Sequence, residues 1–413
     1  MELPTMVRVR QRQESRALAE PEVELQRSLD DAGVWESLAP GATVAIAVGS
    51  RGINRIAETV RTIVSSARAE GASPVIVPAM GAHGGATSRG QAFVLHSLGI
   101  TEESCGAPVN ASMETVKLGE TSGGVAVFMA RPAAEADMVV AVNRVALHTG
   151  YSGPIQSGLR KMLAVGLGKT DGALSLHAHG FEAGHLIGEM ADVEIEEAPV
   201  GFGVALVEDA TRKLAAVEVI RAGDISAREP ALLDLARSML PAIPVSNAHV
   251  LIVEEIGKDI SGVGMDPHVT GRGKDFKPGE EPGFSAQQIV VLRLSKASLG
   301  NATGIGHADV TTERFVSSID VEVTDRNVST SGQFQRARIP RVARSDRDAI
   351  IHALDAAGCR AADEAMVVRI RNTAKLDEMW VSSALAGELE GEEALVFEEE
   401  APMSFDASGD LPR

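Results

Sequence analysis

The sequence predicts an α/β protein: two α/β domains with mainly parallel sheets and an active-site cleft between them. Three observations carry this. Short aliphatic runs of the buried-strand kind recur at residues 43–48 (TVAIAV), 74–78 (PVIVP), 138–142 (MVVAV) and 250–253 (VLIV). Segments with apolar residues at helical spacing alternate with some of these runs, the pattern of βαβ units. At 413 residues, the chain is also longer than one hydrophobic core usually serves.

Taken in order, residues 6–11 (MVRVRQ) read as an edge strand and residues 21–38 as a helix carrying Val23, Leu25, Leu29 and Trp35. Strand 43–48 is followed by the turn Gly49-Ser50-Arg51-Gly52. A helix over residues 53–67 then leads to strand 74–78. Ligands of a βαβ unit gather at the loops after its strands. The first loop leads toward a helix N-terminus, where free amides and the dipole suit an anion, and Arg51 adds a fork matched to carboxylate or phosphate. The second, Met80 to Thr87, sets His83 among glycines that permit close approach of a ligand to backbone. Residues 91–99 read as a helix, residues 113–131 as a hairpin-like strand pair, and 138–142 as another buried strand. Strands at 201–207 and 215–220 and a helix at 227–239 complete a first domain over residues 1–244.

Pro241, Pro244, Ser246 and Asn247 form a linker. A second domain, 248–385, has strands at 250–253, 290–294 and 366–371, helices at 311–319 and 346–357, and a Gly/Pro/charge-rich loop at 271–285. In the acidic tail, 386–413, the run Glu398-Glu399-Glu400 reads as a solvated face, and Leu395, Val396, Phe397 and Phe405 suggest that the tail packs back on the body.

Composition narrows the function. Hydrophobic residues make up 44% and aromatics 3%, so the cores must rest on Ala, Val, Ile and Leu. A net charge of −18 argues against a nucleic-acid partner, whose phosphates call for a basic face. Cys105 and Cys359 show neither metal spacing nor a disulfide framework. The start, MELPTMVRVRQRQESRA, lacks the apolar run of a signal peptide, and no later segment has 18 uninterrupted apolar residues. The expectation is a soluble cytoplasmic protein without a membrane partner; a homo-oligomer is compatible with it.

The chemistry concentrates between Asn143 and His185. Four of the chain's ten histidines lie there, with Lys161 between His148 upstream and His177, His179 and His185 downstream. Imidazoles around a lysine in a Gly-rich segment offer a metal ligand, a proton-transfer group and an amine able to carry a covalent attachment. The plainer reading is a solvated helix and its loops.

The motifs GSRGI, PAMGAHGGAT, GLRKML, GLGK and EIGKDISGVGMDP together resemble the nickel-dependent lactate racemase family, above all its homologues with loops of these types. The resemblance implies an isomerase, a racemase or epimerase of 2-hydroxy acids. It also implies a nickel pincer nucleotide, pyridinium-3-thioamide-5-thiocarboxylic acid mononucleotide, supplied by cofactor-assembly enzymes. By the same resemblance Lys161 is the tethering lysine, His177 the nickel ligand with His179 its rival by position, and His83 and His148 the two catalytic bases. Arg51 would grip the substrate carboxylate. Ser50, Gly52, Gly84 and Lys258 would contact the cofactor, and Asp259 is a further candidate for the cleft. The lactate-specific enzymes carry an acidic residue, Thr and Arg in the first loop, where this chain has Gly49-Ser50-Arg51-Gly52; a larger or more polar 2-hydroxy acid is as compatible as lactate.

The chemistry explains such a set. A C–H beside a carboxylate is barely acidic, so removing it as hydride while a base takes the hydroxyl proton is the easier route. Other readings are a dehydrogenase using a diffusible nicotinamide, disfavoured by the lack of a GxGxxG fingerprint with its downstream acid; a non-catalytic nucleotide- or metal-binding homologue; and a zinc hydrolase built on His177 and His179.

Overall fold

A computed structural model describes residues 2–13, 15–50, 52–180 and 183–412. The chain forms two compact units, Ser15–Leu240 and Met1–Glu14 with Pro241–Arg413. Both are α/β. The expected first domain, 1–244, is thus shortened at both ends.

In the Ser15–Leu240 unit a five-stranded sheet has the spatial order Ser73–Pro78, Thr43–Val48, Met138–Arg144, Val200–Glu208, Leu214–Arg221. The first four strands are parallel and the last is antiparallel to its neighbour. From Thr43–Val48 the chain passes to one neighbour and later returns to the other side, so the strand order reverses there. Val48 is level with both Pro78 and Val142. The loops leaving these three aligned ends therefore flank the crevice that α/β sheets use for ligands.

The alternation within TVAIAV and MVVAV decides what covers each face. Val44, Ile46, Val48, Val140 and Val142 pack against Leu25 and Leu29 of helix Pro21–Ala32 and Val60, Ile63 and Val64 of helix Ile56–Ala69. Each aliphatic side chain buried in this way contributes about 1.5–3 kcal/mol. The opposite face carries smaller groups. Ala45, Ala47 and Ala141, with Val77 and Val139, receive Leu159, Met162, Leu163 and Leu167, so the Lys161 segment lies close over the sheet. The expected hairpin is the antiparallel pair Thr115–Glu120 and Ala126–Ala130.

The other unit holds an eight-stranded sheet ordered Arg341–Ala343, Val310–Thr312, Ser285–Leu294, Asn247–Ile256, Val367–Asn372, Lys375–Ser382, Thr5–Gln11, Leu395–Pro402. The first five are parallel and the remaining pairings antiparallel. Two expectations change here. The N-terminal strand is not at an edge of the first domain but lies between two strands of the second, with Val7 and Val9 in its core. The acidic tail packs back on the body as expected, as a strand beside this one, with Glu398, Glu399 and Glu400 exposed and Glu398 paired with Arg8 at 3.5 Å and Arg10 at 3.2 Å. The expected helix at 311–319 divides into strand Val310–Thr312 and the short helix Glu313–Ser317, where buried Thr311 and Thr312 bond to the backbone of the neighbouring strand. Among the described residues no helix is long and apolar enough to cross a membrane.

Candidate active site

Two of the three strand-end loops meet through Ser50 and His83. Ser50 Oγ lies 2.5 Å from His83 Nδ1, and the His83 ring is otherwise exposed. The loop from Met80 to Thr87 is tightly folded, with Gly81, Gly84 and Gly85 at positive φ. A Cβ at Gly84 would fall 2.6 Å from Gln91 N, so glycine is required for the chain to close on helix Ser88–Ser97. Gly81 N donates to Gly166 O at 3.1 Å, tying the loop to the Lys161 segment.

The first loop departs from expectation. Its helix begins at Ile56, four residues beyond Gly52, with Arg55 in the left-handed conformation as its cap. Asn54 N donates to Glu208 Oε1 at 2.7 Å and Arg55 forks onto Glu22 at 2.6 and 2.9 Å. Carboxylates therefore already face this helix start, and an anion is not favoured there. Gly52 is exposed, and Arg51 lies outside the described residues.

The third loop carries His148. Ala146 and Ser157 pair through their backbones, which closes residues 147–156 into a separate excursion. Inside it, His148 N donates to Gln156 Oε1 at 2.8 Å, and His148 Nδ1 accepts from Gly150 N and Tyr151 N, both at 3.0 Å. Two amide donors on one ring nitrogen fix the tautomer: in the neutral ring the proton sits on Nε2. Such a ring offers a hydrogen-bond donor rather than a base, so the expectation of two equivalent bases is revised. The Ser50 hydroxyl can accept from or donate to His83 Nδ1, so this ring is not held to one tautomer, and in the form that donates Nδ1–H to Ser50 it keeps a lone pair at Nε2.

Tyr151, the only tyrosine in the chain, is buried between His148 and Lys161. Its ring centroid lies 4.7 Å from that of His148, and Lys161 Nζ stands 5.2 Å from it on a cation–π contact. Burial raises the tyrosine's pKa to about 12, so its ring serves as a neutral wall. Lys161 ends the short helix Leu159–Lys161 and is followed by a π-helical stretch, Met162–Leu167, of the kind frequent at functional sites. Next comes helix Lys169–His177, with His177 as its last residue. The packing around His177 lowers its pKa, and the charge of Lys161 lowers it further, so amine and imidazole act on each other.

Several supporting residues carry no sequence signature. Glu229, on helix Ile225–Ser238, is buried, and its Oε2 accepts from Arg160 N at 3.0 Å. Burial pushes its carboxyl pKa up, while the amides of Arg160 and Leu159 and the Arg160 charge oppose that shift. It thus caps the turn that presents Lys161. Arg160 is anchored in addition by Gly188 O at 2.7 Å and by Asp192. Lys169 and Gln91 lie beneath the His83 loop. The one usable signal for any of these was Tyr151, a lone aromatic three residues after His148.

Lys258 belongs to the Pro241–Arg413 unit. Its Nζ donates to Gly262 O at 2.7 Å and Asn327 Oδ1 at 3.2 Å, while Asp259 Oδ1 accepts from Ser298 at 3.0 Å and from Ser295. His179 is exposed. Among the described residues no three His, Cys, Asp or Glu side chains gather as a metal site, so a zinc centre on His177 and His179 finds no third ligand there. A metal carried chiefly by a nucleotide's own sulfur donors would require less of the protein, and an amine at Lys161 whose charge reaches the imidazole of His177 fits such a group.

Residues 3–183 match the model of the lactate racemase N-terminal domain, a span that includes His83, His148, Lys161 and His177. No curated protein matches the chain. A solved structure, the lactate racemase apoprotein from Thermoanaerobacterium thermosaccharolyticum, is similar at 11% identity, covering 89% of this chain and 93% of that one, with a TM-score of 0.49. The family likeness thus rests on residues 3–183, the part of the chain that bears the candidate site, which is similar to the lactate racemase N-terminal domain.

Proposed function

We propose that the protein is a racemase or epimerase of a 2-hydroxy acid that works through a nickel pincer nucleotide tethered at Lys161 and ligated by His177. The observation that carries this is the arrangement around Lys161: its ammonium rests on Tyr151, against which His148 also packs, and its charge is felt at His177. When bound, such a group supplies a two-electron acceptor for the hydrogen on carbon 2. The protein's own residues do the rest. His83, oriented by Ser50, takes the hydroxyl proton at Nε2. His148, its Nδ1 committed to backbone amides, offers Nε2–H to a substrate oxygen. Arg51 is the proposed partner of the substrate carboxylate. Supply of the nucleotide would depend on cofactor-assembly enzymes.

The test pairs intact-mass spectrometry with an isotope experiment on protein made alongside those enzymes. Wild type should carry the nucleotide mass and Lys161→Ala should not. A panel of single-enantiomer 2-hydroxy acids deuterated at carbon 2 should yield the opposite enantiomer with deuterium retained. Solvent hydrogen at that carbon, or an adduct persisting on Lys161→Ala, would sink the reading.

A further inference from the structure

Beneath the exposed His83 loop lies a buried ammonium. Lys169 has no measurable exposure, and its Nζ donates to Pro78 O at 2.5 Å and to Gln91 Oε1 at 2.8 Å. Gln91, equally buried, donates its Nε2 to Gly81 O at 2.7 Å and His83 O at 3.3 Å. Because the lysine can only donate, it fixes which end of the Gln91 amide is oxygen, and so directs both amide hydrogens at the loop. We infer that Lys169 and Gln91 are positioning residues that hold the His83 loop and the His177 helix as one rigid piece.

Three features support a role beyond packing. The ammonium faces neutral oxygens only, with no carboxylate partner among the described residues, and desolvation lowers its pKa to about 8. A cation held in this way costs stability that an apolar side chain would not. Its backbone also sits at φ 51°, a conformation a lysine rarely adopts. Finally, Lys169 is the first residue of the nine-residue helix whose last is His177, so a single side chain ties the element bearing the proposed metal ligand to the loop bearing the proposed base. A proton acceptor and a metal site must keep their separation to well within an ångström for efficient transfer, and this strut spans that separation.

The inference rests on His83 as the base, and its test is chosen to stand apart from that reading. Gln91→Glu keeps an acceptor for Lys169 but removes both donors to the loop. In the apo protein, the His83 ring signals of a 1H–15N spectrum should shift, and the amides of residues 81–85 should relax faster than in wild type. In protein loaded at Lys161, kcat should fall roughly ten- to a hundredfold with KM little changed. A lowered melting temperature with unmoved His83 signals would reduce the strut to ordinary packing and overturn the inference. Should Gln91→Glu fail to fold, Gln91→Met, which adds no charge, is read by the same criteria. If wild type itself proves inactive, the function falls, while the apo spectra still decide the strut.

Discussion

Two glycine-rich loops follow parallel strands in this molecule, one in each unit, and each is fastened by a lysine in an opposite way. In residues 79–87 the fastening comes from outside: Lys169 and Gln91 hold the loop from below, and its one ionisable side chain, His83, is left exposed. In residues 257–266 the charged groups hold the loop themselves. Lys258 bonds to its own loop's Gly262 and to Asn327, and Asp259 to Ser295 and Ser298. A loop braced by others can offer its side chain to a ligand; a loop braced by its own charges has less to offer. The difference sets apart His83, expected as a catalytic base, from Lys258, expected as a cofactor contact.

The largest expected effect tests that separation directly. His83→Ala should lower kcat by about 10²–10⁴, the usual worth of a general base. Lys258→Ala should lower the melting temperature while changing kcat far less. Equal losses of rate would break the comparison. An intermediate effect concerns the buried lysine. Its pKa of about 8 in the folded protein lies below the value of 10.5 for the free side chain, so between those two pH values the unfolded chain binds the extra proton. Stability contributed at this site therefore rises with pH across that window, by up to about 3 kcal/mol at ~1.4 kcal/mol per unit. Denaturant titrations of wild type and Lys169→Met from pH 7 to 11 should show that rise only in wild type; parallel profiles would mean the ammonium is not desolvated. The smallest effect belongs to the second loop. Ser298→Ala removes one hydroxyl from Asp259 and the acceptor of Lys258 N, and should cost about 1 kcal/mol in thermal unfolding with turnover unchanged.

Much of this arrangement was legible beforehand. TVAIAV and MVVAV showed buried parallel strands. The Ser50, His83 and His148 loops were placed at strand ends from local pattern alone. What remained hidden depends on partners distant in sequence. Gln91 read as an ordinary helix residue because Lys169 lies 78 positions away, and Glu229 is 69 positions from the Arg160 amide it caps. The acidic run is the solvated face it was read as, but its pairing with Arg8 and Arg10 stayed hidden because those arginines lie at the other end of the chain. His148 is a subtler case: the family resemblance implied a base, but ring tautomer follows from amide geometry that no motif records.

The N-terminal strand, paired on either side with residues 375–382 and 395–402, sets an order on how the molecule can be completed at the ribosome. The Ser15–Leu240 unit can close as soon as it has emerged. Residues 5–11 precede both their neighbours by more than 350 positions, so this apolar, arginine-bearing segment stays unmatched until residues 375–382 have emerged. Any interruption of synthesis before residue 375 leaves a sticky ribbon behind, and the protein's yield in a cell should depend on whatever shields that ribbon in the meantime.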